Sequence, residues 1–250
     1  TIREFKRGHI NDSFVLELPE DRRYFLQRIN HHVFRDPESL ILNMVKVNAA
    51  MEKHFGNEGN PYPQLLRSRN KTFFYKDPDG NFWRVTTFVP GSRSFNIAEN
   101  AEVAREGAAA FGRFQMVMNQ ESPAEYPPAI PDFHHLGKRL KALEKAIAED
   151  ARGRSSLAGK EVTFALGRLE YGRHLEKLLL SKTIPIRVTH NDTKLNNVLF
   201  RSDRIEHICV VDLDTVMPGT LLYDYGDMVR TFTSPVEEDE PDAGRVAVFL

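Results

Sequence analysis

The chain has one cysteine in 250 residues, so no disulfide can form within it, and a reducing, cytoplasmic setting is expected. That residue, Cys209, lies in the apolar run Ile208-Cys209-Val210-Val211, the composition of a buried strand. Long hydrophobic runs are missing too. Nothing approaches the roughly 18 apolar residues of a membrane-spanning helix, and Thr1 to Arg7 lacks a secretion-signal core. No membrane partner is therefore expected. Neither sign of charge dominates: 34 Lys and Arg stand against 35 Asp and Glu, a formal net charge of -1. No global basic field is left to attract nucleic acid, although local patches are compatible with that sum. Internal repeats are absent, and so is a complete G-x-G-x-x-G loop. What is present, 41% hydrophobic and 28% charged residues, suits one large or two small cores. The first residue is not methionine and the last five, Val246 to Leu250, are an apolar run, so the protein is expected to continue past Leu250.

Residues 1 to 89 read as a strand-rich segment with one helix. Ser13 to Leu18 and Tyr24 to Ile29 have strand composition, with Pro19 to Arg23 as their connection. A helix is expected from Pro37, with Glu38 in its first turn, Leu40, Ile41, Met44, Val45, Met51 and Phe55 apolar, and Gly56 ending it. Lys71 to Tyr75 and Phe82 to Val89 form a second strand pair around the Asp77-Pro78-Asp79-Gly80-Asn81 turn. Pro90-Gly91-Ser92 then breaks the pattern and is the expected hinge between two lobes. Residues 90 to 250 read as mainly helical, with helices over 99–118, 136–151 and 162–180. The acidic stretch Glu237 to Asp242 reads as an exposed turn.

Chemistry concentrates in Val188-Thr189-His190-Asn191-Asp192-Thr193-Lys194-Leu195-Asn196-Asn197-Val198-Leu199-Phe200 and in Val210-Val211-Asp212-Leu213-Asp214. Asp192 follows a short strand, Asn197 stands five positions on, and Asp212 follows a second apolar strand after the Ser202-Asp203-Arg204 turn. A carboxylate at 192 would orient an attacking hydroxyl and take its proton. Asn197 and Asp212 would give oxygen ligands to a divalent ion bearing phosphates, which points to phosphoryl transfer. The bland reading is that Asp192 and Asn197 only satisfy turn backbone groups. Their spacing, with Asp212 beyond them, favours a site. Asp214 shares a face with Asp212 if the stretch is extended. It is then expected to meet acceptor hydroxyls, the alternative being a turn-stabilising role before Pro218-Gly219.

This constellation resembles the aminoglycoside and choline kinase group, relatives of the protein kinases. Closer still are the N-acetylhexosamine 1-kinases, which are similar at 190–199, at Asp212 to Gly219, at Tyr223 to Asp227, and at Gly8 to Phe14 and Leu26 to Asn30. The resemblance implies an α+β, two-lobed protein-kinase-like fold with a small antiparallel-sheet N-lobe, residues 1–89, and a mostly helical, C-terminally truncated C-lobe, residues 90–250. It makes Asp192 the catalytic aspartate, with His190 ordering its loop, and Asn197 and Asp212 the Mg2+ ligands. Gly8 would belong to the nucleotide-covering loop, with a plain turn glycine as the alternative. Arg28 would pair with ATP phosphates, and Phe88 and Val89 would offer backbone groups to adenine. Glu38 and Glu52 are both candidates for the acid facing Arg28. Asp227 would brace the catalytic loop from beneath or act as a helix N-cap.

The activity implied is transfer of the ATP γ-phosphoryl to the anomeric hydroxyl of an N-acetylhexosamine. The alternatives are a kinase for choline, ethanolamine or homoserine, and a non-catalytic nucleotide-binding module. The partners expected are ATP and a sugar; oligomeric state is not encoded in any visible pattern.

Overall fold

The computed structural model describes residues 1–5, 10–56, 59–234 and 236; Gly8 and the acidic stretch 237–242 lie outside the described residues. Two compact units emerge, one made of residues 1–130 with 187–250, the other of residues 131–186.

The first unit opens with an antiparallel sheet of β1 (Ile2–Glu4), β2 (Asp12–Glu17), β3 (Arg23–Ile29), β4 (Tyr75–Lys76) and β5 (Phe82–Thr87), in the order β1-β2-β3-β5-β4. The β2–β3 turn places Glu20 and Asp21 at φ 64° and 54°, the positive pair that matches strand twist in a tight hairpin. At the second hairpin Asp77 accepts from Asn81 N at 2.8 Å and from Trp83 Nε1 at 2.8 Å. The strand expected over 71–75 is cut to Tyr75–Lys76, because Lys71 takes φ 63° and Ser68 to Thr72 close on themselves. Cross-strand partners share a face. Ser13, Gln27 and Arg84 therefore line one side of the sheet, and Asp12, Arg28 and Trp83 the other.

Helix α1 (Pro37–Phe55) has the bounds that its caps dictate: Asp36 accepts from Ser39 N, Pro37 sits in the first turn, and Gly56 leaves the helix at φ 73°. Its buried face includes Leu40, Ile41, Met44, Val47 and Met51, and it packs on α2 (Ala101–Met118). Past Pro90, β6 (Ser92–Arg93) joins β8 (Val198–Arg201) and β9 (His207–Val210) in a separate three-stranded sheet. β7 (Arg187–Thr189) pairs with β10 (Met217–Gly219), and α6 (Leu221–Phe232) follows. Phe111, Phe114, Val198, Phe200 and Val210 are fully buried at the junction of these pieces. This is the expected α+β arrangement, a sheet lobe followed by a mainly helical one.

The second unit holds α3 (Leu136–Glu149), α4 (Gly159–Leu166) and α5 (Leu169–Leu180). A single helix over 162–180 was expected; it is broken at Gly167–Arg168, where Gly167 N–H closes on Thr163 at 3.0 Å. α3 packs on α5, and Arg173 bridges Glu170 and Glu144 at 2.5 and 2.8 Å.

Candidate active site

β7 delivers the chain to His190 and ends there because Asn191 adopts the left-handed conformation, φ 64°. Asn191 is held by its own side chain: Nδ2 donates to the carbonyls of Thr189, Thr215 and Met217, and Oδ1 accepts from Thr189 Oγ1 at 3.0 Å. The sharp reversal turns Asp192 outward. Its side chain is 24% exposed, while Thr189, His190 and Thr193 on either side are fully buried. Lys194 Nζ stands 3.3 Å from Asp192 Oδ2.

Asn197, at the end of a short 3-10 turn, donates Nδ2 to the Asp192 carbonyl at 2.9 Å and to its Oδ2 at 3.1 Å. Two acceptors on that side fix the amide orientation and leave Oδ1 as the end available to a cation. Val211, next to Asp212, is tied from both sides. Its N–H donates to Asn197 O at 2.8 Å, and its carbonyl accepts from His190 Nε2 at 3.0 Å. His190 thus carries its proton on Nε2. It is fully buried, with its ring edge-on to Phe111 and Phe114, so it positions the loop and does not reach a substrate.

The stretch after Val211 is not extended, contrary to expectation. Asp212 has φ 60° and ψ 61°, and Leu213–Thr215 is a 3-10 turn. The two aspartates consequently part company. Asp212 stays exposed, whereas Asp214 is 3% exposed, with Oδ1 2.5 Å from Arg84 Nη1 and Oδ2 2.6 Å from Asn11 Nδ2. Asp214 faces protein groups, not open space for acceptor hydroxyls. The Asp212 carboxyl is raised above its ordinary range by loss of solvation and then by the charges of Asp214 and Asp192, with Arg84 and Lys194 opposing. Water at its exposed side screens part of this; the upward direction follows from three carboxylates sharing one neighbourhood.

Among the described residues no three His, Cys, Asp or Glu side chains form a metal cage. Asn197 Oδ1 and the Asp212 carboxylate could together offer one amide oxygen and one carboxylate, a pair that would fit a hard cation whose remaining ligands are phosphate oxygens and water.

Arg28 lies on the sheet face opposite Gln27 and Arg84, half exposed over the Trp83 ring, and its Nε donates to Asp12 at 2.6 Å. Its acid is Asp12, one strand away, and not Glu38 or Glu52 of α1. Phe88 stacks under Arg23 at 4.6 Å, and the Val89 carbonyl accepts from Ser92 Oγ at 2.7 Å. Asp227 sits inside α6, whose N-cap is Thr220. Asp227 binds Arg230 and only reaches Thr193 Oγ1 at 3.4 Å. The brace beneath the loop is Asp224, which accepts from Asn191 N at 2.8 Å, His190 N at 3.0 Å and Gln115 Nε2 at 2.8 Å. Sequence reasoning missed it; the only local signal was an Asp in the first turn of a helix.

No helix among the described residues is long and apolar enough to cross a membrane. Residues 1–248 match the phosphotransferase enzyme family. Among solved structures, an amicoumacin kinase in complex with AMP-PNP, Ca2+ and Ami superposes with a TM-score of 0.66 at 17% identity, over 99% of this chain and 69% of that one. An aminoglycoside phosphotransferase from Alicyclobacillus acidocaldarius gives 0.60 at 14% identity, over 91% and 66%. The GDP complex of aminoglycoside 2'-phosphotransferase-IIIa gives 0.61 at 11%, over 92% and 72%. These likenesses give the two-lobed protein-kinase-like fold. The match along nearly the whole length adds the activity class: the chain belongs to the phosphotransferase enzyme family and is an ATP-dependent enzyme acting on a hydroxyl acceptor.

Proposed function

We propose that the acceptor is the anomeric hydroxyl of an N-acetylhexosamine and the product a sugar 1-phosphate, with Mg2+ held by Asn197 and Asp212. The observation that supports the phosphotransfer site is the double tie of Val211, the residue before Asp212, to Asn197 and His190. The sugar is supported by the resemblance over 190–199, 212–219 and 223–227. Bound Mg2+ would neutralise charge on the transferring group.

Asp192, steadied by the Asn197 amide, orients the sugar hydroxyl and accepts its proton as the new P–O bond forms and the bond to ADP breaks. An anomeric hydroxyl needs no strong base, which suits a carboxylate that keeps partial solvent contact. Lys194, beside Asp192, adds positive charge where the phosphoryl group passes. Phe88 and Val89 are the proposed adenine edge, and cytoplasmic residence accords with the lone buried thiol. The test is an acceptor panel of N-acetylhexosamines, plain hexoses, choline, ethanolamine and homoserine, with the phosphate position read by NMR. An amino-sugar 1-phosphate, lost in Asp192→Asn, is expected. Turnover confined to choline or homoserine would overturn the sugar assignment.

A further inference from the structure

Two aspartates two residues apart could each serve a cation, yet the fold treats them oppositely. Asp214 is enclosed by groups from the N-terminal sheet and α1. Arg84 of β5 gives Nη1 to Asp214 Oδ1 at 2.5 Å and to Met44 Sδ at 2.9 Å, and its Nε and Nη2 to Gln27 Oε1 at 2.9 and 2.7 Å. Arg84 is 2% exposed. With Nε and both terminal nitrogens turned to protein acceptors, it is not poised to grip a phosphate. Asn11, just before β2, gives Nδ2 to Asp214 Oδ2 while its Oδ1 accepts from Asn30 N at 2.9 Å. One carboxylate is thus pinned on both oxygens, by residues 130 and 203 positions away. Asp212, two residues before it, is left open in a left-handed conformation that L residues rarely adopt unaided.

We propose that Arg84 and Asn11 are positioning residues: by capturing Asp214 they reserve Asp212 for the cation and fix the Asp212 turn against the N-terminal sheet. This rests on the kinase reading of the site. The guanidinium does two things at once. It balances a buried charge that would otherwise repel the ligand carboxylate, and it sets the distance between the sheet and the turn that bears Asp212. Groups that orient metal ligands from behind act in this way, through geometry and local charge and without touching the metal.

The test uses the full protein with three changes: Asn11→Ala, Arg84→Lys, and the apolar double replacement Arg84→Met with Asp214→Leu. Replacing a buried ion pair by apolar side chains of similar volume commonly preserves folding. Readouts are the thermal midpoint, the Mg2+ midpoint for binding a fluorescent ATP analogue, and kcat and acceptor KM on the best panel substrate. The expected result is a double variant that melts near the parent but needs at least about tenfold more Mg2+, with kcat down by a similar factor and acceptor KM unchanged. Asn11→Ala, which removes one hydrogen bond, shifts the Mg2+ midpoint the same way by a smaller factor. Arg84→Lys restores charge without the forked geometry and stays impaired.

Folded variants with the parental Mg2+ midpoint overturn the proposal, and Asn11→Ala decides the matter if the double variant fails to fold. If the parent binds the nucleotide and the variants respond identically to Mg2+, this inference alone falls. If the parent binds no nucleotide, the functional reading falls with it.

Discussion

Replacing Asp224 by asparagine should cripple the enzyme although this side chain is buried, hydrogen-bonded to the backbone just before Asp192. The carboxylate accepts three hydrogen bonds, from Asn191 N on Oδ1 and from His190 N and Gln115 Nε2 on Oδ2. Asparagine has one acceptor oxygen. Its better orientation keeps the two bonds at the Oδ2 position and turns an NH2 toward Asn191 N–H. A buried donor left unsatisfied costs about 1–3 kcal/mol, and the two surviving bonds lose their charge assistance, about 1–2 kcal/mol together. Against this, the neutral amide escapes the burial that holds the Asp224 carboxyl above its ordinary range, which offsets part of that cost. The net expectation is destabilisation of about 2 kcal/mol, read as a lower urea midpoint at unchanged slope. Activity should fall further than stability explains. Asn191 holds φ 64° next to Asp192, and a displacement near 1 Å at a reacting group costs roughly 10²-fold. An Asp224→Asn protein with the parental urea midpoint and kcat within twofold of parent would refute the claim that this carboxylate holds the loop.

Three further outcomes are expected. Gly219→Ala puts a methyl group into Thr189 Oγ1 and within 2.5 Å of Asn191 Oδ1; overpacking of about 1–3 kcal/mol should appear in urea melts, with kcat reduced because the same Asn191 moves. The Asp212 carboxyl, raised above its ordinary value of 3.8 by lost solvation and by the charges of Asp214 and Asp192, keeps a proton in the folded state over a pH window in which the unfolded chain has released it. Metal-free protein should therefore lose stability as pH rises through that window, and saturating Mg2+ with nucleotide should flatten or reverse the slope of thermal midpoint against pH. An unchanged slope with and without Mg2+ would contradict a cation at Asp212. Asp36→Ala removes the cap that takes both Ser39 N at 3.1 Å and Ser39 Oγ at 2.6 Å. It should cost about 1 kcal/mol in urea melts and leave the Mg2+ midpoint alone.

The features legible in the sequence are those whose causes are local. The bounds of α1 follow from Asp36, Pro37 and Gly56, and the second hairpin turn from Asp77 and Gly80. The spacing of Asp192, Asn197 and Asp212 was also visible, because a loop, a strand, a turn and a strand separate them whatever the rest of the chain does. What was hidden depended on parity and on distant partners. Gln27 and Arg28 are adjacent in a strand where neither is buried, so one step of register decides which joins Arg84 on the side that holds Asp214. The pairing of Gln27 with Ser13 and Arg84 settles it, and Arg28 ends on the far face. Asp212 and Asp214 share a face only in an extended stretch; Val211, tied to Asn197 and His190, is followed instead by a left-handed residue and a 3-10 turn.

Composition of the motif therefore specifies a supply of carboxylates, and the tertiary structure distributes the work among them by pairing. Asp214 and Asp224 are each about 3% exposed and surrounded by donors, so their charges are already answered and their geometry is fixed. Asp192, answered only in part by Lys194 and the Asn197 amide, and Asp212 both keep open sides, so some of their charge remains to be met from outside the chain. That difference, and not residue type, separates the groups that hold this site from the groups that would meet a cation and a hydroxyl. It also explains why altering Arg84 or Asn11, whose side chains are spent on Asp214, is expected to change the Mg2+ midpoint for nucleotide binding.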